Sequence, residues 1–391
     1  VCSSDLNKLQ NVVIICESAI IGSASLNFRK INSLKSLKLR FGRENAYQQP
    51  RIDLALNLTD LKQVDHLSLQ FFKVNFVSSR FSQMNLEGLI TSKIRFDSCN
   101  GIKGDYFSFQ KIPGLTKFEA ELLQTKNELF LKEANSLTEI SISVDSTTYV
   151  ELKKLPSVKK AIMVCKNFRA DGRLQIMLEN LQECPSLNHL VLSCEDCTFA
   201  VQNIDNYFRN LTNLTLELNK SVVSDCQLQN YVESISELLN LEFLTIKLFS
   251  INSLEVPKLR LQNAKNLKAF HFQIDVCKLK EFNMIIFNLD HLSKLNLNLN
   301  SCSCMTAFKI NLSSVPKLDH AIIRLDAGIL NEAFIEFEKI RELGTFKTDF
   351  VKYNRLTNLH FSFSDIDDIK ELLINLQNFP LIKRASPFIK L

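Results

Sequence analysis

From Leu211 to Asn219 the chain reads LTNLTLELN, and from Leu214 onward apolar and polar residues alternate. Leu214, Leu216 and Leu218 share one face and Thr215 and Glu217 the other, which is the period of a half-buried β-strand. The pattern recurs as LQNVVIIC from Leu9, LKSLKLRF from Leu34, VDHLSLQF from Val64, LTKFEAEL from Leu115 and LTEISISV from Leu137. It continues as VKKAIMVC from Val158, LNHLVLSC from Leu187, LEFLTIKL from Leu241, LKAFHFQI from Leu267, LSKLNLNL from Leu292, LDHAIIRL from Leu318 and LTNLHFSF from Leu356. TSKIRFDS from Thr91 is a degenerate copy. These fourteen copies return about every 27 residues, the mark of stacked turns, none of which buries its apolar face alone. The longer step of 38 residues after Leu318 is read as an insertion around Phe346–Tyr353.

Between the strands the period lengthens. Leu228, Tyr231, Val232, Ile235, Leu238 and Leu239 fall at helical spacing, with Asp225 placed to cap the start. Leu174, Met177, Leu178 and Leu181 do the same after Asp171, as do Leu279, Phe282, Ile286 and Leu289. Leu330, Phe334, Phe337, Ile340 and Leu343 predict a longer helix ended by Gly344, and Ile366, Ile369, Leu372 and Leu376 a last one. The short repeats after Leu115 and Leu137 leave little room for a helix and predict an irregular stretch.

The segment L-x-x-L-x-L, repeated over residues 7–365, resembles the leucine-rich repeat family. That family's ninth position, usually Asn or Cys, is matched by Cys99, Asn219 and Asn300. The eighth position is apolar in nearly every copy, as at Phe41, Phe71, Leu122, Leu218, Leu248, Leu299 and Phe363, which implies a longer strand and a thicker core. Strand-plus-helix repeats are similar to the ribonuclease-inhibitor-like subtype. The extra apolar position followed by Asn is similar to expanded protist families, some of which join the repeats to a protein kinase domain. The resemblance implies an α/β leucine-rich-repeat solenoid (horseshoe) of about 14 repeats. Its parallel β-sheet would be concave, with helices or irregular segments on the convex side.

Composition fits one soluble solenoid of 391 residues, with 46% hydrophobic and 23% charged residues and only nine glycines and eight prolines. Residues 7–391 are expected to form a single repeat domain, incomplete at its N-terminus. The opening VCSSDL resembles a translated sequencing-adapter end, so residues 1–6 are set aside as a processing scar. The 11 cysteines, scattered in apolar runs, read as buried thiols of a reducing compartment, and an intracellular, cytoplasmic location is expected. No stretch reaches the roughly 18 apolar residues of a membrane span. A net charge of +5 gives no reason to invoke nucleic acid.

No phosphate-binding loop, dinucleotide fingerprint, metalloprotease helix or nucleophile elbow occurs, so no enzyme activity and no cofactor are expected. Cys194-Glu-Asp-Cys197 is a lone C-x-x-C whose first Cys falls at an apolar repeat position, which favours a structural thiol over zinc. The concave face is the candidate for protein binding. Lys38, Arg40, Lys93 and Arg95 make its N-terminal third basic, Glu119, Glu121 and Glu217 bring acid, and Lys247, Lys294 and Arg324 bring base back. Asn213, Thr215 and Asn296 are polar positions of the same face, and Phe243 is its one aromatic anchor. His189 and His320 fall at third positions, and His271 and His360 at fifth; His320 and His360 belong to adjacent copies and are expected as neighbours. The function expected is a protein-interaction scaffold without chemistry of its own, binding a protein partner and no small-molecule substrate. The alternative is the targeting or regulatory tail of a larger enzyme, a protein kinase or ubiquitin-ligase substrate receptor, lying upstream.

Overall fold

In the computed structural model the described residues are 9–16, 23–29, 31, 33–42, 52–59, 61–80, 86–99, 107–125, 128–168, 178–198, 208–326, 328–351, 355–377 and 384–390. Residues 1–6, and Leu174 and Met177 of one expected helix, lie outside them. The chain divides into two compact units, Val1–Leu187 and Asn188–Leu391.

In the first unit successive strands serve two kinds of parallel ladder. The main ladder contains β1 (Asn11–Cys16), β3 (Ser36–Phe41), β5 (His66–Phe72), β7 (Thr91–Asp97), β9 (Lys117–Leu123), β11 (Glu139–Asp145) and β13 (Lys160–Lys166). The return segments hold β2 (Ser23–Arg29), β4 (Ile52–Thr59) and β6 (Val74–Arg80), which pair together. A second return set comprises β8 (Phe107–Gln110), β10 (Glu128–Lys132) and β12 (Tyr149–Lys153). The stretch expected to be irregular is therefore an ordered three-stranded ladder, short because the turns there are short.

Main-strand residues at the fourth, sixth and eighth positions point inward, as with Leu37, Leu39 and Phe41 or Leu67, Leu69 and Phe71, all buried. Phe41, Phe71 and Phe96 stack turn on turn with ring centroids 5.6 and 4.9 Å apart, and Phe107 of the return ladder meets Phe96 at 4.8 Å. Such aromatic pairs contribute about 0.5–1.5 kcal/mol each beyond area burial, so they tie neighbouring turns and opposing sheets together. One copy sits two residues from its expected frame. Leu67, Leu69 and Phe71 face Ser92, Ile94 and Phe96, so that turn begins at Leu89 rather than Thr91. Ser92 occupies the inward fourth position at 3% exposure, a polar residue that breaks the apolar pattern there.

The second unit repeats the plan. Its main ladder runs through β14 (His189–Glu195), β15 (Asn213–Asn219), β16 (Phe243–Phe249), β18 (Ala269–Asp275), β20 (Lys294–Asn300) and β22 (His320–Leu325). Its return ladder holds β17 (Lys258–Leu261), β19 (Glu281–Phe287) and β21 (Ala307–Ser313). Two long strands, β23 (Glu332–Val351) and β24 (Asn358–Gln377), then belong to both ladders. Glu332–Glu338 of β23 pairs with β21, whereas Thr345–Phe350 pairs with β22. β25 (Arg384–Lys390) closes the return ladder against Asn358–Ser364.

This arrangement corrects four expectations. The segments Leu279–Leu289, Leu330–Leu343 and Ile366–Leu376 are built on strands, not helices, so the helical return of the ribonuclease-inhibitor-like plan is largely absent from the described residues. Residues 346–351 are no insertion, because Phe346, Thr348 and Phe350 are buried inward positions of a main-ladder copy starting at Leu343; residues 352 and 353 lie outside the described residues. The copy read from Leu356 lies in the return ladder. Gly344 is not a helix cap; it lies in β23 where a Cβ would collide with Asp319, including its backbone carbonyl 2.8 Å away.

One long helix was legible. In α1 (Asp225–Ser236), Leu228, Tyr231, Val232 and Ile235 are buried. Ser224, not Asp225, is the N-cap: its side chain accepts from the Gln227 N–H while Gln227 accepts from the Ser224 N–H. Asp225 instead accepts the Glu255 and Val256 amides at 3.1 and 2.9 Å, joining the helix to the next turn. Leu178 and Leu181 lie in a short helical turn that ends as a 3-10 helix, Leu181–Glu183.

Main strands end in a repeated corner. Lys73, Ser98, Asp196, Lys220, Ser250 and Val276 each take a positive φ, between 50° and 55°. Their N–H groups donate to Asp97, Leu123, Asn219, Phe249, Asp275 and Asn300 of the following turn, at 2.9–3.1 Å. One residue later comes the ladder side chain. Cys99 Sγ donates to the Phe71 and Asp97 carbonyls at 3.3 and 3.5 Å, Cys197 Sγ to Glu195 at 3.3 Å, and Ser221 Oγ to Cys194 and Asn219 at 3.1 Å. The ladder thus sits at the eleventh position, not the ninth, because the extra inward residue lengthens each strand by two. Asn219 and Asn300 are half-buried strand ends rather than ladder residues. Each unit is a parallel-sheet solenoid of the leucine-rich-repeat kind, with few helices among the described residues.

Candidate interaction surface

Alternation fixes which side chains leave the main sheet. In the first unit the outward rows join Lys93 to Glu119 and Arg95 to Glu121 across β7 and β9. Lys93 Nζ lies 3.1 Å from Glu119, and Arg95 Nε lies 2.7 Å from Glu121. Lys117 continues the network, 3.1 Å from Glu119 and 3.6 Å from Glu139, and Lys160 reaches Glu139 at 3.4 Å. Burial pushes the Glu119 carboxyl up, but hydrogen bonds from Lys117 and Lys93 outweigh it and hold the group below its ordinary value. The hydrogen bond to Glu119 raises Lys117 in turn. The basic and acidic segments expected as separate zones are therefore register neighbours that neutralise one another. A recess of about 140 Å³ lies among Lys117, Glu139, Ser141 and Ile162, below the roughly 300 Å³ at which small-molecule pockets begin.

Lys38 and Arg40 continue the outward rows toward β1. They lie between Val13 and Ile15 of β1, which are 60% and 51% exposed, and Ser68 and Gln70 of β5. The guanidinium groups of Arg40 and Arg95 lie 5.9 and 4.9 Å from the Phe72 ring centroid. Phe72, a strand-end residue the repeat pattern does not single out, thus links the two arginines.

In the second unit three rows cross the outward face. The first is His189, Asn213, Phe243, Ala269, Lys294, His320 and Thr345. The second runs Thr215, Thr245, His271, Asn296, Ile322 and Lys347; the third Glu217, Lys247, Gln273, Asn298, Arg324 and Asp349. Phe243 keeps 45% of its surface exposed, because the methyl of Ala269 gives it little cover on one side. Lys247 Nζ is 2.7 Å from Glu217, and Arg324 Nε is 3.5 Å from Asp349. Burial lowers the His271 pKa, opposed by the hydrogen bond with Gln273 and assisted by the Lys247 charge.

His320 and His360 are not neighbours. His320 faces Lys294 and Thr345 in the main ladder, with Nδ1 2.8 Å from Asp319. His360 faces Phe334 in the return ladder, ring centroids 5.9 Å apart. It belongs to a second outward face. There Arg260 lies 4.8 Å from the Phe287 ring centroid and Lys309 5.4 Å from that of Phe334. A trough of about 260 Å³ is lined by Asn283, Ile285, Lys309, Asn311, Phe334 and Glu336. Assigning this stretch to helices hid the face, since a helical frame puts Phe334 inside.

Cys194 is fully buried at its inward position, and Cys197 is 1% exposed at the ladder position. Among the described residues no group of three or more His, Cys, Asp or Glu side chains is placed to hold a metal, and no helix is long and apolar enough to cross a membrane.

No protein-family model matches the sequence, and no curated protein does. Among solved structures, an internalin of Listeria monocytogenes aligns with 79% of this chain and 88% of its own, at 14% identity and a TM-score of 0.32. The plant peptide hormone receptor RGFR1, in complex with RGF2, aligns with 92% of this chain and 81% of its own, at 10% identity and a TM-score of 0.21.

Proposed function

We propose that the chain is a non-catalytic scaffold that binds a protein partner on the outward face of its main sheet. The observation that carries this is the three-row array of the second unit. Parallel backbone pairing holds Phe243, His271, Lys247, Asn298 and Arg324 at fixed spacing, so little side-chain placement is left to order on binding. An exposed aromatic such as Phe243 is the residue type that anchors interface hot spots, and Arg324 lies on the same face three strands away. Ion pairs such as Lys247–Glu217 and Arg324–Asp349 intersperse both signs along the face, which supports a partner of mixed charge over a polyanion. Seven of the ten described cysteines are buried thiols, which fits a reducing compartment.

The test is affinity capture with the parent chain, Phe243→Ser and the charge-exchanged pair Glu217→Lys/Lys247→Glu. Loss of the same recovered protein from both variants, with melting curves unchanged, is the expected result. Identical recovery from all three chains rejects the main-sheet face as the binding surface.

A further inference from the structure

The return-ladder face of the second unit carries a feature unrelated to the main sheet. Its trough follows β21, with Ile285 of β19 on one side and Phe334 of β23 on the other. Ile285 is 40% exposed, and Phe334 is partly exposed beneath Lys309. The β23 side is acidic. Glu336 accepts a hydrogen bond from Asn311 Nδ2 at 3.0 Å, and Glu332 accepts one from Asn358 Nδ2 at 3.3 Å. Among the described residues neither carboxylate makes an ion pair, whereas Glu119, Glu121, Glu139 and Glu217 of the main sheet do.

We propose that this trough docks an extended peptide segment presenting a large apolar side chain between Ile285 and Phe334 and a lysine or arginine, two residues along, against Glu336. The spacing follows from the strand. Phe334 and Glu336 are two residues apart on one face, about 6.6 Å, and an extended ligand repeats that distance between its own alternate side chains. Charge complementarity selects the base, because Glu336 is held by a neutral amide alone. Size selects a peptide over a second copy of the chain. Six strands about 4.8 Å apart, each at most about 23 Å long, offer roughly 660 Å², less than the ~800 Å² per partner of a stable interface. The trough is also smaller than the roughly 300–1,000 Å³ of small-molecule pockets.

The experiment is fluorescence anisotropy of the full chain with labelled Gly-Ser peptides of equal length whose centres read Leu-Ser-Arg, Leu-Ser-Glu or Ser-Ser-Arg. The Leu-Ser-Arg peptide is expected to bind at least about tenfold more tightly than either control, a difference of about 1.4 kcal/mol. Glu336→Lys should invert the preference toward Leu-Ser-Glu, and Phe334→Ser should erase the advantage of leucine, both with parental melting curves. Equal or absent binding of the three peptides overturns the proposal. So does discrimination that survives Glu336→Lys but is lost in Lys247→Glu, which would place the peptide on the main sheet. Sedimentation equilibrium showing a dimer that Glu336→Lys dissociates would assign the face to self-association and overturn it as well.

Discussion

Glu217 and Lys247 occupy directly opposed positions on β15 and β16, and their charged atoms meet at 2.7 Å. Each side chain keeps about a third of its surface in solvent. Lys247→Glu would set two carboxylates against each other and is expected to cost about 0.5–1 kcal/mol in urea denaturation. Exchanging both residues should recover most of that loss, and a double-mutant cycle checks it. A cycle with no coupling would mean that the pair only decorates the face.

Val276 takes a corner φ of 55°, a conformation that β-branched side chains rarely adopt, and it is 57% exposed. Its counterparts at this corner include Ser98, Asp196, Lys220 and Ser250. Val276→Asn is expected to stabilise the chain by about 1 kcal/mol, since Asn tolerates the left-handed region and keeps the N–H that donates to Asn300. Thermal melting checks the sign. An unchanged or lower midpoint would count against corner strain.

The thiols fall into two groups. Cys226 and Cys304 are exposed, whereas burial pushes Cys99 and Cys302 up to about 12 and Cys277 to about 11. Thiolate is the reactive form. Peptide-resolved labelling with a thiol reagent at mildly alkaline pH should therefore modify Cys226 and Cys304 in the folded chain. Cys99, Cys277 and Cys302 should react only after denaturation.

Burial sets the His271 pKa below its ordinary value of about 6.5, with the Lys247 charge adding to the shift. The unfolded chain then takes up the proton at higher pH than the folded one. The contribution to stability is present above about pH 6.5 and is lost as pH falls through the interval down to the folded value. His271→Gln should flatten that part of the stability curve. The imidazole NMR titration should have its midpoint below 6.5, and Lys247→Gln should raise it only partly, because burial is the larger cause.

The main strands were legible because their period is unambiguous: Leu214, Leu216 and Leu218 fit no helix. α1 was legible for the opposite reason, since Leu228, Tyr231, Val232 and Ile235 fit no strand. The return strands satisfy both periods. Phe282 and Ile286 are four apart, which places them on one helical face and also on one strand face. Met284 between them is buried and Ile285 is exposed, a distinction that hydropathy does not make. In β23, Phe334 looks outward between Ala333 and Ile335, which are fully buried, so an aromatic on the solvent side imitated a helical stripe. The main-face candidates were placed by the same alternation, and His360 was misplaced with the copy that carried it. Pairing between charges was beyond a single sequence, because it depends on which turn lies beside which.

In β23 the chain passes from one face to the other without an intervening loop, turning at Lys339, whose φ is 56°. Lengthening that corner by a single codon would leave Phe334 and Glu336 in place. It would also turn Thr345, Lys347 and Asp349 toward the interior and bring Phe346, Thr348 and Phe350 to the surface. Where a loop joins the two ladders an insertion has somewhere to go; here a gene cannot gain or lose one amino acid without rewriting the whole exposed row that follows.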